Sequence, residues 1–201
     1  ASPMRELWLI HPAGTGLHQL TSLGGISYWP TWSPDGRRVG FVSDYRGGSF
    51  DLYSVDVSGR GLRRLASSDE DELQPSWSPT GDSFVYQAGA NGQPSALWSG
   101  RLDGTVPVVL MSDRPQASRF AYSPDGQRLA YNMGVLGVTP GIEVVSAKGG
   151  RPARILSTSI RVGSPCWSSD GNWLIYGQAG KLWKISSHGG GEPVVIKERA
   201  E

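Results

Sequence analysis

One cysteine in 201 residues excludes an internal disulfide, so no covalent staple holds the chain and cysteine usage leaves its redox compartment open. Charge of one sign is equally lacking. Nineteen basic and eighteen acidic residues leave a formal net charge of +1, which provides no global field toward nucleic acid or an anionic membrane. No stretch approaches the roughly 20 consecutive apolar residues of a membrane-spanning helix, so direct membrane insertion is not expected. The three histidines, His11, His18 and His188, have no helical metal-binding spacing, and no metal is expected. Gly-x-Ser-x-Gly is absent, which argues against an α/β-hydrolase nucleophile within the chain. Gly14-Thr15-Gly16, Gly47-Gly48 and Gly189-Gly190-Gly191 lack the following Lys-Ser/Thr and helix of a phosphate cradle. No cofactor is expected.

What the chain has in quantity is 28 glycines and 14 prolines, placed where tight turns need them. Trp32-Ser33-Pro34-Asp35-Gly36 recurs as Trp77-Ser78-Pro79-Thr80-Gly81, Tyr122-Ser123-Pro124-Asp125-Gly126 and Trp167-Ser168-Ser169-Asp170-Gly171, with the four final glycines 45 residues apart. Such a fixed period marks a repeat architecture. Proline presets φ, aspartate bonds its own backbone and glycine accepts positive φ, so each copy reads as strand, tight turn, strand. The second strand follows in register at Val39 and Phe41, Phe84 and Tyr86, Leu129 and Tyr131, and Leu174 and Tyr176. Its alternate positions are largely apolar as well, which predicts burial on both faces.

Leu52-Tyr53, Leu97-Trp98, Ile142-Glu143 and Leu182-Trp183 mark a third strand, and Leu65, Leu110, Ile155 and Val195 a fourth, with Gly59, Gly104, Gly149 and Gly189 turning between them. Residues 1–25 contain only a third and a fourth strand, and residues 26–66, 71–111, 116–156 and 161–197 each contain all four. Tandem four-stranded antiparallel units of this length predict an all-β chain, a β-propeller of four complete blades and a two-stranded half blade. Residues 1–201 then form a single propeller domain or part of one. The last blade already has four strands, so simple closure with the half blade is not available. The expectation is an arc of a larger ring, or self-association that completes one.

The aromatic-Ser-Pro-Asp-Gly turn, the alternating strand, the aliphatic-aromatic pair and the glycine turn together resemble the TolB-type propeller repeat, which is WD-repeat-like but without the Gly-His and Trp-Asp pair. The resemblance covers essentially the whole chain. It implies a bacterial interaction, scaffold or sensor module without enzymatic activity, in a periplasmic or otherwise extracytoplasmic setting, with a protein or peptide partner. It also leaves two alternatives: the gating portion of a larger enzyme such as an oligopeptidase, and a carbohydrate-active propeller such as a lyase.

Residues departing from the repeat carry further expectations. Cys166 stands where the other copies have Thr31, Ser76 and Ala121, a slot for a small packed side chain, so burial is expected. Trp32, Trp77, Tyr122 and Trp167 recur in register and read as packing between blades. Thr80 replaces the turn aspartate at an expected loss of stability. Glu143 replaces an aromatic and is expected to pack poorly or to be exposed.

Candidate contact residues lie on the loops that vary while the turns stay constant. Trp29 is an aromatic where the other blades have Gln74, Arg119 and Ser164, and large aromatics near a cavity mouth are frequent anchors. Tyr45 and Arg46 lie on a variable loop. Asp69-Glu70-Asp71-Glu72 with Arg46, Arg114, Arg119 and Arg161 forms either a two-signed surface for a partner or a set of solvated side chains.

Overall fold

The computed structural model describes residues 4–89, 96–112, 117–134 and 139–197, and there all regular structure is strand. Two compact units divide the chain, residues 1–108 and 109–201. The first unit opens with a two-stranded sheet, β1 (Trp8–Leu9) and β2 (His18–Gln19). A four-stranded sheet follows, β3 (Ser27–Trp32), β4 (Arg38–Ser43), β5 (Asp51–Asp56) and β6 (Arg63–Ala66), adjacent in sequence order. The next sheet contains β7 (Asp71–Trp77), β8 (Ser83–Gly89) and β9 (Ala96–Arg101), and its outer strand β10 (Val108–Ser112) straddles the division. The second unit carries β11 (Ala117–Tyr122) to β14 (Ala153–Ser157) through β12 (Arg128–Met133) and β13 (Gly141–Ser146). Its last sheet is β15 (Cys166–Trp167), β16 (Trp173–Gln178), β17 (Lys181–Ser186) and β18 (Val194–Lys197).

Alternation along the second strands distributes the core. On β4 and β5, Val39, Phe41, Tyr53 and Val55 cluster with Leu7 and Leu20 of the two-stranded sheet. Val42 and Leu52 point the other way, into a cluster with Ala66, Phe84, Tyr86 and Ala88. β4 is therefore buried on both faces because a sheet lies against each. In the second unit Ala130, Ile142, Val144 and Leu156 meet Val162, Leu174, Tyr176 and Ile185 in the same manner. At roughly 1.5–3 kcal/mol for each large side chain taken from water, these face-to-face contacts are the main stabilising term.

The repeated turn is held by a small side-chain cage. Ser33 Oγ donates to Asp35 Oδ1 at 2.7 Å and accepts from Arg38 N at 2.9 Å, while Arg37 N donates to the same carboxylate oxygen at 3.1 Å. Ser123, Asp125, Gln127 and Arg128 repeat the arrangement. These bonds favour the ionised form, and they hold Asp35 and Asp125 below the usual aspartate range. At Thr80 the turn keeps a carboxylate partner, because Asp82 two residues on occupies that role. Asp82 Oδ1 accepts from Thr80 Oγ1 at 2.5 Å and from Ser78 Oγ at 3.1 Å, which with Ser83 brings its pKa down to about 2.

Three expectations need correction. Trp32 is 55% exposed, although its counterparts pack. Trp77 lies over the preceding blade, with Nε1 donating to Thr31 O at 3.2 Å, and Trp167 does the same to Ala121 O at 2.9 Å. The sheet before Trp32 consists of β1 and β2 alone, so no first strand offers a carbonyl to its indole. Cys166 is exposed for the complementary reason: no following repeat in this chain lays a tryptophan over β15. Glu143 is neither loosely packed nor exposed. It is buried, accepts from Tyr131 Oη at 2.7 Å and pairs with Arg154 at 3.2 Å, so hydrogen bonds and a counter-charge offset the desolvation of its carboxylate.

Candidate functional site

The first strand of three repeats carries a bulge at one position. Pairing of β3 with β4 slips between Tyr28 and Thr31, of β7 with β8 between Leu73 and Ser76, and of β11 with β12 between Ser118 and Ala121. Each slip holds a non-glycine residue in the left-handed region: Trp29 at φ 48°, Gln74 at 52° and Arg119 at 49°. Such backbone costs roughly 1–3 kcal/mol per residue, and a bulge re-aims the side chain it contains. The slot is legible in the sequence as a departure from the repeat, but its backbone geometry is not. Pro30 and Pro75, which follow it and donate no backbone hydrogen bond, were the available signal.

Trp29 is 40% exposed and leans on Tyr28, ring centroids 5.9 Å apart. Tyr28 in turn meets Phe50 at 5.5 Å and carries the Arg5 guanidinium over its ring at 5.1 Å. Nearby in sequence, Tyr45 packs against Tyr53 at 5.0 Å, and Arg46 Nε donates to Tyr45 Oη at 3.0 Å. This bond raises the Arg46 pKa further. Trp29, Tyr45 and Arg46 thus belong to one unit and present aromatic and cationic surface.

The acidic run divides. Asp69 is exposed, but Asp71 and Glu72 begin β7 instead of continuing the loop. Asp71 Oδ1 accepts from Phe50 N at 3.0 Å, and Glu72 is 1% exposed. Glu72 Oε1 accepts from Ser68 Oγ at 2.8 Å, while Oε2 is buried without a hydrogen-bond partner. Burial pushes this carboxyl up to about 7, against the Ser68 bond, which works in the opposite direction. Glu70, Glu72, Tyr86 and Trp98 line a cavity of about 510 Å³ within the first unit. In the second unit Arg119 and Arg161 are both exposed, and Arg114 lies outside the described residues. Among the described residues no three His, Cys, Asp or Glu side chains gather into a metal-binding group.

The model of the TolB beta propeller domain matches residues 2–118, more than half of the chain. The chain belongs to the TolB propeller family. A stretch of 37 residues is 49% identical to the Tol-Pal system protein TolB of Nitratidesulfovibrio vulgaris, covering 18% of this chain and 8% of that protein. In structure this TolB-type chain is similar to a putative TolB from Agrobacterium tumefaciens, with a TM-score of 0.74 at 20% identity over 92% of this chain and 66% of that one. It is also similar to an oligogalacturonate lyase in complex with manganese, with a TM-score of 0.72 at 16% identity over 99% of this chain and 61% of that one. At these identities the likenesses are to the fold, which TolB proteins and lyases share.

Proposed function

We propose that this TolB-type propeller is a non-enzymatic recognition module that binds a protein or peptide partner in an extracytoplasmic compartment, through the ends of its sheets where the bulged first strands begin. The observation that carries this reading is the bulge itself. Three repeats keep the same strained backbone and place a different side chain on it, an indole, a carboxamide and a guanidinium. A scaffold held constant while chemistry varies from repeat to repeat is an arrangement for display. Exposed Trp29 beside Tyr28, with Arg46 as a cationic position in the same unit, supplies the aromatic and arginine contacts that dominate protein recognition. The match to a Tol-Pal system protein supports a partner within an assembly.

The test is site-specific photo-cross-linking. A benzophenone amino acid at position 29 should give adducts in a bacterial periplasmic extract, and the same probe at Asp35, at the turn end of the same sheet, should give none. Trp29→Ala with Arg46→Ala should weaken binding at least tenfold with little change in Tm. Adducts formed from position 35 alone would put the partner at the other end.

A further inference from the structure

The position of Glu72 is anomalous within its own repeat pattern. Forty-five residues earlier the equivalent residue is Ser27, and ninety residues later it is Val162, both buried. An uncharged residue therefore serves the fold at this position. Glu72 adds a buried carboxylate with one oxygen unpartnered, which costs stability. It also belongs to the wall of the 510 Å³ cavity together with Trp98, whose Nε1 is likewise buried without a hydrogen-bond partner. Tyr86 and Trp98 line it as near-parallel rings, 6.5 Å apart at 17°. A residue with an orphan acceptor and two aromatic rings lining one cavity are features of a ligand site.

The occupant is set by charge and geometry. Two carboxylates, Glu70 and Glu72, line the cavity, so an anion is disfavoured. The surrounding charged groups are Asp51, Asp71 and Arg64, and Arg64 is already paired to Asp51 at 2.9 Å. A guanidinium seeks both carboxylate oxygens in a fork, but Ser68 holds Oε1. An ammonium needs one oxygen and is attracted to aromatic faces. We propose that this cavity is a binding site for a primary alkylammonium group, with Glu72 Oε2 as the acceptor and Tyr86 and Trp98 as the walls. The site is separate from Trp29, so it stands or falls independently of the reading given above.

Two probes separate the two sources of this chemistry: n-butylammonium for a free amine, and N-acetyl-Gly-Lys-Gly-amide for a lysine side chain of a peptide. Binding is followed by calorimetry on the full chain. At pH 8 at least one probe should bind saturably, and the tighter of the two identifies the source. Affinity should fall about tenfold between pH 8 and pH 6, because protonation of a carboxyl titrating near 7 competes with the cation. Glu72→Gln and Glu72→Ser should each weaken binding at least tenfold, the serine variant carrying the residue that Ser27 shows the fold accepts. No saturable binding of either probe to millimolar concentration would overturn the proposal. So would binding that survives in both variants, or equal binding of n-butanol.

Discussion

Buried Glu72 and the turn carboxylate of Asp82 respond to pH in opposite directions. Glu72 has a folded-state pKa of about 7, raised from an ordinary 4.5, so the folded state holds its proton where the unfolded chain has released it. Its contribution is fully present below pH 4.5 and is lost as pH rises through 7. Stability measured by urea unfolding should therefore decline from pH 5 to pH 8, and Glu72→Gln should flatten that decline. Asp82 is the reverse case, lowered from 3.8 to about 2. Its contribution is complete above pH 3.8 and is lost as pH falls toward 2, and Asp82→Asn should reduce the difference between pH 4 and pH 2, leaving the part that Asp35 and Asp125 supply. Cys166 is exposed and should react with Ellman's reagent in the native protein at close to the rate of a free thiol. Protection until denaturation would show that something covers β15. For the Glu143 group, Arg154→Leu strands a buried carboxylate and should cost about 2–3 kcal/mol, below the 3–5 of a fully buried pair because Arg154 is partly exposed.

At the scale of a strand or turn, the sequence was most legible where local chemistry dictates local geometry. Gly36, Gly81, Gly126 and Gly171 all have φ between 67° and 73°, as their turns demand, and the second strands are buried where alternation required. Legibility failed where a residue's surroundings come from another repeat. Trp32 and Trp77 are the same residue in the same motif, yet one is exposed and the other buried, because only Trp77 has a complete preceding sheet. The bulges were marked only by Pro30 and Pro75, because Trp, Gln and Arg announce no left-handed backbone. Glu143 was misjudged because its partner Arg154 lies eleven residues away on the neighbouring strand. Gly40 tests the contact between sheets. A Cβ there would lie 3.0 Å from Trp77 Nε1, so Gly40→Val should force the indole off Thr31 and cost about 1–3 kcal/mol, read as a lower midpoint in urea.

For the molecule as a whole, large apolar side chains remain in water. Trp8, Ile10 and Trp32 are each more than half exposed, and large apolar side chains left in water favour association. Isolated, the 201-residue chain should self-associate at micromolar concentration, and multi-angle light scattering should give a mass above the 21.6 kDa monomer. A monodisperse monomer would show that these side chains do not form a working interface.

The tryptophan that reaches back 46 residues to the preceding sheet also makes the architecture directional. The repeats of Trp77 and Trp167 each carry the clasp for their predecessor, so a tryptophan-bearing repeat added on the C-terminal side arrives with its own fastening, and one added ahead of Trp32 finds a fastening waiting. Trp32 is that waiting clasp. Its emission, red-shifted in water, should move to shorter wavelength when a first and second strand are supplied ahead of it, which makes one indole an optical gauge of whether the preceding blade is in place.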